Sequence, residues 1–403
     1  MQEIIIAPAR MPDGNEPISV KVVSKILEVD SEQWDACAGT NARDSNPSVS
    51  YAFLHALEES HSVRPESGWQ PQHLIVEDAN GEVAGAVPMY LKSHSMGEYV
   101  FDYGWANAYE RAGGQYYPKL QVSIPFTPVT GPRLLVCPGA GEDTTRAALV
   151  AGMIEYTNRN EISSLHVTFP TSEEAEYLEA ADFLIRHNHQ YHWYNQDYET
   201  FDDFLGSLNS RKRKMIRRER RKVAEAGVEM QCLSGSDLTS EAWDAFYRFY
   251  TDTYDRKWGY PYLTREFFEI ISDTMADNVM LVLASRDDTP IAGALNLKGG
   301  DTLFGRNWGC VADYKFLHFE TCYYSAIEYA IDHGLSRVEA GTQGPHKLQR
   351  GYVPVQTRSV HWIPDPGFRT AVARFLEEER SEEAREMNYL EDETPYRQDA
   401  RES

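Results

Sequence analysis

The stretch from Asp301 to Ile363 constrains the fold of this chain more than any other. A strand-like run, Thr302 to Gly309, leads through a short loop to a helical interval from about Phe316 to His333. Gly334 stands where a helix stops, in the left-handed conformation that glycine adopts at little cost. A second strand, Arg337-Val338-Glu339-Ala340, runs into Gly341-Thr342-Gln343-Gly344-Pro345-His346-Lys347. Strand, helix, strand and a glycine-rich exit predict a βαβ unit, whose ligand-binding loops lie at the carboxyl ends of the strands. Glu339, His346 and Lys347 gather at that end.

The same order of elements occurs twice. His73 to Glu77, Asn80-Gly81 and Val83 to Leu91 predict a hairpin, because Asn-Gly accepts the positive φ angles of a type I′ turn. Met280 to Ala284, a turn through Asp287-Asp288 and a strand from Pro290 repeat it. Val83-Ala84-Gly85-Ala86-Val87 and Ile291-Ala292-Gly293-Ala294-Leu295 take the same place in the two hairpins. At 403 residues the chain exceeds one ordinary core, so a duplicated α/β domain with mixed sheets is the expected architecture. The expected boundaries are a disordered N-terminus at 1–17, a first domain at 18–195, a second at 196–377 and an acidic tail at 378–403. Val20 to Val29 reads as the first strand, and Asn46-Pro47 and Ser50 precede a helix carrying Phe53, Leu54 and Leu57 on one face. Tyr99 to Gly131, dense in aromatics, glycine and proline, reads as a packed long loop or a pocket wall rather than a plain helix.

Charge narrows the partners. A formal net charge of −23 argues against a general nucleic-acid or anionic-membrane binder, so an anionic ligand must meet a local basic patch. Such a patch exists: Arg211-Lys212-Arg213-Lys214, Arg217-Arg218 and Arg220-Arg221-Lys222 put nine cations into twelve positions, opposed only by Glu219. Ser210 as N-cap and Gly227 as stop fit a helix over 210–226. Either acidic surface of the same protein neutralises it, or it holds phosphate of a nucleotide-linked donor or acceptor, or of tRNA. Tyr254, Trp258, Tyr260 and Tyr262 can stack on a base or pack in a core. The five cysteines form no C-x-x-C pair and leave an odd count, which favours reduced thiols in a cytoplasmic protein. No apolar run approaches a membrane span, and no secretion signal is visible at the N-terminus.

Several stretches, in order, resemble one family. They are Asn46-Pro47 to Leu54, Phe101-Asp102-Tyr103-Gly104-Trp105, Tyr117-Pro118-Lys119-Leu120-Gln121, Pro125 to Pro132, His318 to Tyr324 and Gln343 to Gly351. The family is a bacterial group of predicted N-acyltransferases, described as peptidoglycan biosynthesis/recognition proteins and related to the Fem-type aminoacyl transferases. The resemblance runs from about residue 18 to 377 and implies two tandem acetyltransferase-like (GNAT) domains, with the basic helix where Fem-type enzymes carry a helical element. Coenzyme A-dependent GNAT domains present a glycine-patterned pyrophosphate loop after the fourth strand. Here that position reads Gly309-Cys310-Val311-Ala312-Asp313-Tyr314-Lys315, which leaves aminoacyl-tRNA open as donor beside acyl-CoA. Neither would be a tightly bound cofactor.

N-acyl transfer needs an uncharged amine, a group that polarises the acyl carbonyl and a hold on the donor. Glu339 can act as base or pair with an arginine such as Arg337 or Arg358. Lys347, placed as in the Fem-type arrangement, can stabilise an oxyanion or a phosphate, and His346 can be a second base. Glu320 and Tyr324 share a helical face as substrate contacts; His318 and Cys322 share a neighbouring one, as a Cys–His pair or as packing. Asp102, Trp105, Tyr117 and Lys119 can line a substrate groove between the domains or pack structurally. No cluster shows metal-ligand spacing. The expected function is acyl or aminoacyl transfer to a small-molecule or precursor amine, with a non-catalytic binder of cell-wall precursors or an RNA-binding factor as alternatives.

Overall fold

The computed structural model describes residues 2–6, 18–40, 45–139, 141–256, 259–341 and 344–397. The chain divides into two compact units. One comprises Met1–Asn41, Ser48–Asn188 and Thr357–Glu383, the other Ala42–Pro47, His189–Gln356 and Ala384–Ser403. Late residues thus return to the first unit, where the sequence reading expects contiguous halves.

In the first unit lie β1 (Gln2–Ile6), β2 (Ile18–Val23), β3 (Trp69–Pro71), β4 (His73–Glu77), β5 (Val83–Val87), β6 (Met89–Lys92), β7 (Lys119–Val122), β8 (Leu135–Val136) and β9 (Leu165–Thr168). Its helices are α1 (Ser31–Ala38), α2 (Tyr51–Glu59), α3 (Tyr103–Arg111), α4 (Glu142–Arg159) and α5 (Ser172–Ala180). One sheet runs β1-β2-β4-β5-β8 and a second set β9-β7-β6-β3. The α2 helix starts as expected, the Ser50 hydroxyl accepting from Phe53 N; such a cap contributes about 1 kcal/mol. β7 and β9 pair in parallel across the α4 crossover, and Leu149 and Met153 of α4 bury themselves over Leu120, Val122, Leu165 and Val167.

β10 (Leu184–Tyr194) carries the chain into the second unit. There follow β11 (Val228–Leu233), β12 (Val279–Arg286), β13 (Thr289–Gly299), β14 (Thr302–Cys310), β15 (Arg337–Glu339) and β16 (Val353–Trp362), ordered β11-β12-β13-β14-β15-β10. The helices are α6 (Phe201–Ser207), α7 (Ser210–Glu225), α8 (Ser240–Arg256), α9 (Arg265–Thr274), α10 (Leu317–Phe319) and α11 (Ser325–Asp332), with a π-helical turn, Glu320–Tyr324, joining α10 to α11; α12 (Pro366–Asp392) belongs to the first unit as far as Glu383. β14 and β15 are parallel across that helix, as β7 and β9 are across α4. Val338, Leu303, Met280 and Val282 pack with Ile327 and Ala330 of α11. The repeated glycines have one physical cause: a Cβ on Gly85 would meet Thr145 of α4 at 2.6 Å, and one on Gly293 would meet Phe246 of α8 at 3.0 Å.

Three expectations need correction and a fourth gains detail. Gln2–Ile6, read as loose, form a strand paired antiparallel with Ile18–Val23; residues 7–17 lie outside the described ones. Tyr99 to Gly131, read as a packed loop or pocket wall, does wall a hollow, and contains a short helix, α3, whose Trp105 and Ala106 are buried. The acidic stretch after Glu378 stays helical to Asp392, because Glu379 pairs with Arg186 at 2.6 Å and Leu390 is buried. Finally, Cys37 and Cys137 form a disulfide across 100 residues, a long-range pairing with no local spacing to reveal it. The turn chemistry is also exchanged between the hairpins. At Asn80-Gly81 only the glycine has positive φ, with the Asp78 carboxylate accepting from Asn80 N and Glu82 N, whereas Asp287 and Asp288 both take positive φ.

Candidate active site

β14 and β15 stay paired only from Thr302 to Phe304 and Arg337 to Glu339. Beyond that they part. β13 and β14 lose register at the same level: Asn296 faces Gly305 and Leu295 faces Asn307, leaving Arg306 as a bulged extra residue. The opening holds a hollow of about 250 Å³ whose lining includes Asn296, His318, Cys322, Tyr323, His346 and Lys347. The π turn sets the wall, since its wider winding aims Cys322 and Tyr323 at the hollow while Glu320 and Tyr324 reach α7.

Lys347 is 4 % exposed, and its Nζ donates to Ala340 O at 2.5 Å and Gly341 O at 3.1 Å. Burial lowers its pKa to about 8, so part of the population is a free amine slightly above neutrality. His346 Nε2 lies 2.9 Å from the Tyr323 hydroxyl. Burial, then the cations Arg350 and Lys347, lower the pKa of His346, while burial raises that of Tyr323. A neutral imidazole and a protonated phenol therefore share this hollow. The Cys322 thiol is also pushed up by burial, which leaves no thiolate for the Cys–His pair.

Glu339 is not among the residues lining the hollow. Val338 packs on the α11 side of the strand, so Glu339 faces the opposite side. There its Oε1 lies 3.2 Å from Arg337 Nε and its Oε2 3.8 Å from His192 Nε2. Burial raises the Glu339 pKa to about 7 and lowers that of His192 to about 3. The arginine pairing expected as one of its two readings is present.

The basic helix forms as expected, capped by Asn209 instead of Ser210. Its cations sort into two sets. Arg217 pairs with Asp202, Arg220 with Glu320 and Glu328, and Arg221 and Lys222 with Glu225. Arg211, Lys212, Lys214 and Arg218 instead line a hollow of about 610 Å³, joined by Lys315 and Gln349. Arg213 does not line it. The carboxylate there, Glu219, is committed to Arg350 at 2.9 Å and to the Tyr324 hydroxyl. Lys315 escapes a search for charge runs because it stands alone in sequence. Arg350 links the basic helix to the reaction loop: it binds Glu219, donates to His346 O at 2.7 Å and stacks over Phe319 at 3.4 Å.

In the first unit Asp102 and Lys119 lie together in a buried network. Lys119 Nζ donates to Glu98 at 2.7 Å and to Asp102, and Asp102 accepts from Tyr116 at 2.6 Å. Burial opposes every charge here and lifts Glu98 to about 7, but Lys119 holds Asp102 below the usual carboxylate range. Tyr117 bonds Ser95 at 2.8 Å. Of the four expected groove residues Trp105 lines an apolar hollow of about 760 Å³ built by α3 and α12, and the other three do not line that one. Trp258 lies outside the described residues, while Tyr254 packs on Tyr250 and Tyr262.

Two α/β units, each with a parallel strand pair across a helix, define a tandem GNAT-like acyltransferase fold with a basic helical element and a C-terminal helix. The chain belongs to the FemAB-like family of peptidoglycan biosynthesis/recognition, whose family model matches residues 25–398. No curated protein matches it in sequence. Among solved structures, FemX superposes with a TM-score of 0.55 at 11% identity, covering 86% of this chain and 98% of its own. The C-terminal domain of a putative lysylphosphatidylglycerol synthetase from Agrobacterium fabrum gives 0.51 at 8% identity, covering 86% and 95%. A conserved protein of unknown function from Bacteroides thetaiotaomicron gives 0.51 at 10% identity, covering 85% and 98%. At these identities the likeness is one of fold. No helix among the described residues is long and apolar enough to cross a membrane.

Proposed function

We propose that the second unit transfers an acyl or aminoacyl group from a polyanionic activated donor to an amine of a peptidoglycan precursor. The observation that carries this reading is that two hollows draw their lining from the same two segments, Lys315 to Tyr323 and His346 to Gln349. One is cationic with its carboxylate already committed; the other holds Lys347, His346 and Tyr323. Arg211, Lys212, Lys214, Arg218 and Lys315 hold the donor's phosphates, and the donor's reacting end reaches the open end of β14 and β15.

Lys347 as an ammonium faces the charge that grows on the acyl oxygen, and its two carbonyl partners fix its position. The acceptor nitrogen attacks the acyl carbon and gives its proton to the neutral His346 imidazole. The carbon–leaving-group bond breaks, and the departing sulfur or ribose oxygen takes a proton from Tyr323, which His346 replenishes across their hydrogen bond. Coenzyme A thioesters and aminoacyl-tRNA both fit as donors, neither tightly bound. Family membership supports a cell-wall precursor as acceptor. Thermal-shift titrations with acetyl-coenzyme A, alanyl-tRNA and a UDP-linked muropeptide test the reading, since a ligand of the native state raises the melting point by mass action. One donor and the muropeptide are expected to raise it. A tRNA shift with no acyl transfer would favour an RNA-binding factor instead.

A further inference from the structure

A third hollow of the second unit, about 630 Å³, shares no lining residue with the two above. The edge strand β11, the end of α7, the π turn and α11 build it. Asp237, Glu320, Glu328 and Asp332 line it against one arginine, Arg220. That arginine is spent: its guanidinium binds Glu328 at 2.7 and 3.1 Å and Glu320 Oε1 at 2.9 Å. Glu320 is 5 % exposed, and its second oxygen, Oε2, is buried without a hydrogen-bond partner. A buried carboxylate oxygen left unbonded is a standing demand for a donor.

The shape of the acidic set selects among cations. Among the described residues no three acidic, histidine or cysteine side chains converge closely enough to hold a metal ion. The carboxylates come from separate elements, Asp237 after β11, Glu320 in the π turn, and Glu328 and Asp332 one turn apart on α11. Separated anions match a ligand whose positive charges are themselves separated. The geometry points to a polyamine site: an aliphatic chain with two or more ammonium groups, one donating to Glu320 Oε2 and another lying between Asp237 and Asp332. Tyr329 and Met230 offer apolar surface to the intervening methylenes.

Calorimetric titration of spermidine into the full chain at low ionic strength tests this. One saturable site per chain is expected, weakened about tenfold in Asp237→Asn/Asp332→Asn. Both of those positions are exposed, so the fold is kept. Glu320→Gln, with circular dichroism as the fold check, is expected to weaken binding likewise, while Glu382→Gln/Glu383→Gln on α12 leaves it unchanged. Absence of a saturable site, equal weakening in the α12 variant, or competition by magnesium beyond that of sodium at matched ionic strength would overturn the assignment.

Discussion

Lys347→Met separates a functional lysine from a structural one, because the two make opposite predictions for stability. Burial lowers the Lys347 pKa from 10.5 to about 8. At 1.36 kcal/mol per unit, folding with the ammonium form is disfavoured by about 3 kcal/mol near pH 7. Methionine removes that penalty and keeps the packing, but it leaves Ala340 O and Gly341 O without their donor, at about 1 kcal/mol each. The variant should therefore be about 1 kcal/mol more stable than the wild type near pH 7. The sign follows from linkage. Between the folded and unfolded pKa values the unfolded lysine holds more protons, so wild-type stability rises with pH. By about pH 10 most of the penalty is gone, and the variant should be the less stable protein by about 1 kcal/mol. Urea denaturation at the two pH values reads this crossing, with transfer activity measured alongside. A variant destabilised near pH 7 with turnover intact would show a structural lysine and refute the reasoning.

Reversing charge in Arg211→Glu/Lys315→Glu should weaken the polyanionic donor about a hundredfold at low salt and flatten the salt dependence of its affinity, read by fluorescence anisotropy. Lys119→Met strands Asp102 in the first unit without its cation and leaves Glu98 only the more distant Lys92 at 3.8 Å, and should lower unfolding stability by about 3 kcal/mol in urea titrations. Cys37→Ser/Cys137→Ser opens a 100-residue loop and should cost about 4 kcal/mol. Alkylation of the denatured but unreduced chain should modify only Cys232, Cys310 and Cys322 of the five cysteines. Arg350→Lys keeps the charge but cannot bind Glu219, cover Phe319 and hold His346 O together, so kcat should fall about tenfold with KM for the donor nearly unchanged.

What could be read without coordinates was whatever depends on local pattern. The βαβ unit around Gly334, the duplicated hairpin and the basic helix rest on periodicity, capping and turn residues, and all three are present. Lys347 and His346 were legible because a glycine-rich exit from a central strand places its residues at the open end of a sheet. Glu339 pairs with Arg337, one of its two expected readings, but its face was not legible, since one residue of register sends a strand side chain to the opposite side. Glu320 and Tyr324 keep the shared face expected of them, but that face meets α7, while His318 and Cys322 line the hollow; no sequence periodicity signals the π turn between them. Lys315, Arg350 and the Cys37–Cys137 bridge owe their places to long-range contacts, which leave no local trace. Asp102 and Lys119, read either as groove residues or as structural ones, bind each other in a buried network.

Rapid-quench, single-turnover transfer to a UDP-linked muropeptide, from acetyl-coenzyme A and from alanyl-tRNA in turn, tests the central claim most directly. The account predicts transfer from one of these donors by the wild type, slowed about a hundredfold or more in Lys347→Met at unchanged donor affinity. Equal single-turnover rates in the two proteins, or no transfer from either donor while both bind, would contradict it.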